Sequence, residues 1–301
     1  MTGATGFVGQ YLLRELPKRG YRLRVLLRRP SKVPLACASV LIGDLARPHN
    51  MAEALTGIDA VIHSAGLAET MSGQPEDDYR VINTEATIAL ARAAQRARVK
   101  RFVFLSSIRA QSGPTASETL TEDAEPRPTD AYGRSKLAAE HGLAEANMDW
   151  VALRLALTYG PGVQGNMARL MRLARSPYPL PFGMLKGRRS LLALDNLVNA
   201  IDVVLRAPAP LRKPLLVADP DPVTIGEMIG AMREGLQRGP GIFPLPSPLL
   251  RAASLAMGRS DTHRLLSGSL VADCTKLSGL GFEPTIDTKT ALAALMRADI
   301  S

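Results

Sequence analysis

With 301 residues and 46% hydrophobic content, the chain is long enough to bury a full α/β core and a smaller second lobe. No uncharged apolar run approaches the roughly 18 residues of a membrane span, and the N-terminus lacks a basic-then-apolar leader pattern, so the composition predicts a cytoplasmic protein without stable membrane insertion. The net charge of +9 is spread along the chain rather than gathered into a basic, aromatic-interleaved stripe, which argues against a nucleic-acid surface and for a few cations lining a pocket for anionic ligands.

The opening stretch, Thr2-Gly3-Ala4-Thr5-Gly6-Phe7-Val8-Gly9, reads as the turn between a first strand and a first helix. Glycines there let the backbone approach a diphosphate, and the helix N-terminus faces its negative charge. Gly3, Thr5, Gly6, Phe7, Val8 and Gly9 are therefore candidate cofactor-binding residues. The apolar strand that normally leads into such a turn is missing, because Met1 stands directly before it. The expectation is of a start several residues upstream, with Met1 in a strand-ending position, since a doubly wound sheet without its central strand would leave two neighbours with unpaired backbone groups.

From Phe7 onward, Val8, Leu12, Leu13 and Leu16 recur at helical spacing until Gly20. Residues 22–27 suit a second strand, and Arg28 and Arg29 stand at its tip. In dinucleotide folds that tip lies beside the adenosine ribose, where a carboxylate binds a free 2′-hydroxyl and an Arg accommodates a 2′-phosphate. With two arginines and no acid, NADP is expected over NAD, which stays open. Residues 40–45 read as a third strand trailing into Asp44 and Leu45, and residues 60–66 as a fourth with a small-residue exit at Ala65 and Gly66, where the chain could pass close to the cofactor. His63 is expected to pack rather than react.

Residues 76–98 form a long amphipathic helix with Tyr79, Ile82, Ala86, Ala89, Leu90 and Ala93 inward. Residues 101–107 are a β run ending in the hydroxyls of Ser106 and Ser107, followed by a long loop through Pro128 of the kind that usually carries function. A further helix begins near Tyr132 and a sixth strand covers 150–155. Tyr132 and Lys136 are four residues apart, so phenol and ammonium share one helix face. A fixed cation lowers a phenol pKa that is roughly 10 in a free side chain, which makes the tyrosine an acid/base near neutrality.

The glycine turn, the Asp44-Leu45 pair, the Ser107 strand end and Tyr132-x-x-x-Lys136, in that order, resemble the extended short-chain dehydrogenase/reductases, the NAD-dependent epimerase/dehydratase family, in its nucleotide-sugar branch. The resemblance implies a doubly wound parallel sheet of Rossmann type in residues 1–160, and a small C-terminal α+β substrate lobe in 161–301, with 186–218 returning to the first domain. It implies hydride exchange between a nicotinamide and a carbinol or carbonyl carbon, with Tyr132 exchanging the proton, Lys136 tuning it and holding the nicotinamide ribose, and Ser107 positioning the oxygen. Asp44 and Leu45 would contact adenine. Asn83 matches an Asn with an architectural role.

Further resemblances reach into the second half. Thr158-Tyr159-Gly160-Pro161-Gly162 is similar to the family's V-Y-G-P-G, although Arg154-Leu155 departs from its usual Arg-Pro. Asn166 and Arg189 fall where family members bind the uridine diphosphate, and a guanidinium suits phosphate because its planar fork donates in pairs. Asp195 and Asn196 are expected to cap the following helix, residues 224–237 to form a helix of the lobe, and 249–257 another apolar helix. Ile108-Arg109-Ala110-Gln111 occupies the place of the Asp-Glu pair of sugar dehydratases, which disfavours dehydration. The resulting expectation is reduction of a UDP-4-keto-hexose. A UDP-hexose 4-epimerase is the alternative and an NADP-dependent reductase of a non-sugar carbonyl a further one; a homodimer pairing the helices of 76–98 and 131–147 is implied.

Overall fold

The computed structural model describes residues 1–34, 37–68, 74–246 and 266–298. Its centre is a parallel sheet. Strand β1 (Arg24–Leu27) pairs with β2 (Ala38–Leu41), and β3 (Ala60–His63), β4 (Arg101–Ser107), β5 (Asp149–Leu155) and β9 (Lys213–Val217) lie side by side in that order. Met1 and Thr2 join the two groups: Leu26 N–H donates to Met1 O at 2.9 Å, and Thr2 N–H to Ile62 O at 3.0 Å. These two residues thus stand in the slot of a central strand, and the order of strands reverses on either side of them, as in a doubly wound Rossmann sheet.

The period-two alternation of β4 divides its side chains between two layers. Val103 and Leu105 pack with Val151 and Leu153 under helices α1 (Phe7–Lys18) and α7 (Leu194–Arg206), which supply Leu12, Leu16, Leu197 and Ile201. Phe102 and Phe104 face the other way, onto Leu55 of α2 (Met51–Leu55), Leu90 of α4 (Ala86–Arg96) and Leu143 of α5 (Ala131–Ala144). Covered on both faces, β4 and β5 are buried along their whole length.

A second core lies beyond the sheet. Strands β6 (Leu157–Tyr159) and β8 (Leu191–Ala193) pair in parallel, and β7 (Arg188–Arg189) pairs antiparallel with β10 (Val223–Thr224). Helices α6 (Gly165–Arg175), α8 (Ile225–Gly235) and α10 (Thr288–Ala298) enclose Met167, Met171, Met228, Ile229, Leu292 and Met296; a short α9 (Thr275–Ser278) packs under β9. Helix α8 opens on a capping box, Thr224 accepting from the Glu227 amide and Glu227 reaching back to the Thr224 amide. Arg233 in the same helix is buried and uses all five of its N–H groups on carbonyls: Ala174, Ser176, Tyr178, Pro240 and Gly241.

Three expectations from the sequence are revised. The helix of 76–98 contains a π-turn at Arg80–Glu85 between α3 (Glu76–Tyr79) and α4, and the shifted register buries Asn83 and exposes Ala89. The third strand ends at Leu41, because Gly43 adopts φ +70° and turns the chain. Asp195 and Asn196 do not cap α7, which begins at Leu194 after Ala193. Asn196 is instead fully buried, bonding Asp219 and the 285–286 backbone, while Asp195 accepts from the Tyr11 hydroxyl. The apolar helix expected at 249–257 lies outside the described residues.

Candidate active site

The glycine turn closes against the exit of β3. Gly3 has φ +70°, and a methyl group there would sit 2.5 Å from Ala65 N. A methyl group at Gly9 would sit 2.0 Å from Gly3 O, so neither position admits a side chain. Helix α1 starts from an extended Gly6 with no side-chain cap and no acid in its first turn. The result is a positive helix end behind a bare backbone turn, which fits the diphosphate of a dinucleotide. Thr5 and Gly6 are exposed on that turn, while Phe7 and Val8 are half-buried in the first turn of the helix.

Behind the turn Thr2 is bonded to β3 and α4 by a chain of side chains. His63 is fully buried, with Nδ1 2.6 Å from Thr2 Oγ1 and Nε2 2.8 Å from Thr87 Oγ1, and it stacks on Phe104. Burial and the nearby Lys136 charge pull its pKa down to about 3, so it stays neutral. Packing, not proton transfer, is its role. The π-turn places Asn83 to receive Leu67 N–H at 2.7 Å and to donate to Leu67 O and Ser135 Oγ. This ties the loop after Gly66 to helix α5.

Tyr132 and Lys136 occupy the first turns of α5, and Asp130 caps it by accepting from Gly133 N–H at 2.7 Å. The buried Lys136 ammonium donates to Leu105 O at 3.0 Å, lies 4.6 Å from the centre of the Phe104 ring and 6.0 Å from that of Tyr132. A methyl group at Gly66 would approach Lys136 Nζ to 3.5 Å. The β3 exit, the β4 end and α5 therefore converge on one ammonium. Burial pulls its pKa down to about 8, and Glu140 one turn along opposes that shift. It remains a cation at neutral pH. The half-buried Tyr132 ring meets Tyr79 edge-on with centroids 6.2 Å apart. Ser107 ends β4, and its Oγ accepts from Arg109 N–H at 3.1 Å, which leaves the hydroxyl proton available for donation.

Beneath the helix lies a charged network that the sequence did not announce. Arg154 on β5 and Glu140 on α5, each 3% exposed, meet at 2.6 to 3.2 Å. Glu140 also accepts from Ser106, and Arg154 donates to Gln111. Asp219, after β9, accepts from Ala193 N–H, Asn196 and Tyr159, joining the sheet to the second core. Glu140 was readable only as a residue four after Lys136 on the same face; its partner comes from a strand.

The remaining sequence candidates are distributed along the sheet edge and the second core. Arg28 and Arg29 are exposed after β1, and Asp44 is exposed after β2 while Leu45 packs on the core beside it. Asn166 is exposed in the first turn of α6 and accepts from Arg169 at 3.4 Å. Arg189 is half-buried on β7 and donates to Pro114 O at 3.2 Å, which brings it against the loop that follows Ser107. That loop is strapped down by Ala116 N–H to Ser269 O, Leu120 N–H to Val271 O, and a Lys276–Asp123 ion pair. Among the described residues no helix is long and apolar enough to cross a membrane.

Comparison with known proteins agrees with this geometry. The family model of the NAD dependent epimerase/dehydratase family matches residues 1–218. The chain is 32% identical to a UDP-glucose 4-epimerase of Vibrio cholerae over 94% of its own length and 90% of the relative's. It is 30% identical to a ceramide reductase of Caulobacter vibrioides, over 85% of this chain and 76% of that one. Among solved structures, MoeE5 in complex with UDP-glucose and NAD superimposes with a TM-score of 0.76 at 27% identity, covering 100% of this chain and 98% of the other. A bare glycine turn, a Tyr-Lys pair on one helix and a match over most of the chain together place this protein in the NAD-dependent epimerase/dehydratase family, among the extended short-chain dehydrogenase/reductases.

Proposed function

We propose that the protein inverts a hexose hydroxyl at C4 on a UDP carrier, as a UDP-hexose 4-epimerase. The observation that carries this reading is the 32% identity to a UDP-glucose 4-epimerase across nearly the full length of both chains. The Gly3–Gly9 turn with Ala65 and Gly66 would hold the dinucleotide, and Lys136 its nicotinamide ribose. When bound, nicotinamide supplies a reversible hydride acceptor. Tyr132 acts as the acid/base on the C4 oxygen, with Lys136 favouring its phenolate, and Ser107 directs its hydroxyl proton to that oxygen. Asn166 and Arg189 would meet the UDP. Residues 1–160 with 186–218 would form the cofactor domain and the rest the substrate lobe, in a cytoplasmic homodimer paired through α4 and α5.

A second reading is reduction of a UDP-4-keto-hexose with NADPH. It is favoured by Arg28 and Arg29, exposed after β1 with no Asp or Glu at that strand tip, where a ribose 2′-phosphate would lie. The test is incubation of purified protein with UDP-glucose, followed by NMR of the sugar for UDP-galactose. Interconversion that disappears in Tyr132→Phe supports the first reading. Absence of interconversion, with NADPH consumed on addition of a UDP-4-keto-hexose, replaces it with the second. Inactivity on both sugars, with Arg189→Ala leaving UDP affinity unchanged, removes the nucleotide-sugar assignment altogether.

A further inference from the structure

Arg109 sits in the short 3₁₀ turn Ile108–Ala110 that leaves β4, and it touches both flanks of the site. Its N–H donates to Ser107 Oγ at 3.1 Å. Its carbonyl is pressed against the first turn of α5, where a methyl group at Gly133 would lie 2.4 Å from Arg109 O. Its guanidinium, with the side chain 8% exposed, forms an ion pair with Asp130, the residue whose other oxygen caps α5. The backbone amide and the side chain of one residue thus hold the serine and the cap of the helix carrying Tyr132 and Lys136, while its carbonyl packs against that helix.

We infer that Arg109 is a positioning residue: through Ser107 and Asp130 it sets the serine hydroxyl and the Tyr132 phenol in register. The inference rests on the proposed roles of Ser107 and Tyr132. A buried guanidinium is costly to desolvate and is held here by a carboxylate that α5 already needs for its cap, so the ion pair couples the end of β4 to the start of the helix. A main-chain turn alone would fix Ser107 but not the azimuth of α5. The side chain supplies that second constraint.

The test compares Arg109→Met, which keeps the bulk, with Asp130→Asn, which keeps the cap because Asn caps as well as Asp while losing the ion pair. Two readouts are taken on the full chain: amide hydrogen exchange, and the single-turnover rate with UDP-glucose alongside UDP-glucose affinity by calorimetry. The expected result is at least about 10-fold loss of protection confined to residues 131–136 in both variants. The rate should fall about 10- to 100-fold with affinity retained, since displacement by a fraction of an ångström acts on the chemical step. The double variant should be no slower than Arg109→Met, and Arg109→Lys should recover part of the rate. Wild-type protection at 131–136 in Asp130→Asn overturns the inference, as does protection lost equally across β4, β5 and α5 with the rate unchanged. If the wild type does not act on UDP-glucose, the substrate reading has failed and the exchange pattern alone decides the positioning role. If Arg109→Met does not fold, Asp130→Asn decides it.

Discussion

Replacing Arg154 with Met should destabilise the protein far more than removing the whole ion pair. In the native structure Glu140 receives three N–O contacts from Arg154, at 3.2, 3.0 and 2.6 Å, and both side chains are 3% exposed. Met fills the space of the arginine stem but leaves Glu140 with the Ser106 hydroxyl as its remaining side-chain donor among the contacts described. A buried charge stripped of its partner costs about 3–5 kcal/mol, whereas replacing both charges by well-packed apolar groups is near neutral. For a chain of this size that is about 5–10 °C in Tm. Arg154→Met, Glu140→Leu and the double variant are compared by urea unfolding and calorimetry. The double variant should lie within about 2 kcal/mol of the wild type, giving a coupling of more than about 2 kcal/mol. A single-variant loss under 1 kcal/mol, or additive losses in the double, would refute the claim that the pair is coupled in a low-dielectric interior.

Arg233→Met should cost about 2–4 kcal/mol in chemical denaturation, because five carbonyls lose one shared donor group, and Arg233→Lys should recover less than half of it, an ammonium having three donors; equal stability of Met and Lys variants would contradict this. Gly3→Ala should weaken NAD binding about 100-fold or more by calorimetry while leaving far-UV dichroism native, since the methyl would collide with Ala65 N at 2.5 Å. Wild-type affinity would show that the turn does not carry the dinucleotide. Asp219, 3% exposed, has its pKa raised from 3.8 to about 6, with burial the largest cause and bonds from Asn196, Ala193 and Tyr159 opposing it. Sign follows from proton counts: between about pH 4 and pH 6 the folded state holds a proton that the unfolded state has lost, so stability falls as pH rises, by roughly 3 kcal/mol across the window. Asp219→Asn should flatten that slope whatever its absolute stability; an unchanged slope between pH 4 and pH 6 would assign it to other groups.

What the sequence by itself determined is local and one-dimensional. Gly3 and Gly9 mark the turn because only residues without Cβ fit φ +70° beside Ala65 at the first and the 2.0 Å approach to Gly3 O at the second, and Tyr132 and Lys136 share a face because a helix advances about 100° per residue. The β4 alternation likewise shows in its residues, with Phe102 and Phe104 on one face and Val103 and Leu105 on the other. Tertiary structure decided what depends on partners distant along the chain. The π-turn at Arg80–Glu85 forms because Asn83 finds Leu67 and Ser135 across the site, and hydrophobic periodicity carries no trace of those bonds. Asn196 has the composition of a cap yet is drawn inward by Asp219 and the 285–286 backbone. Glu140 and Arg154, Arg109 and the half-buried Asp130, and the five carbonyls around Arg233 are pairings of buried or partly buried charge and polarity between separate elements. Their energies come from desolvation, and desolvation is a property of the packed interior rather than of any stretch of sequence.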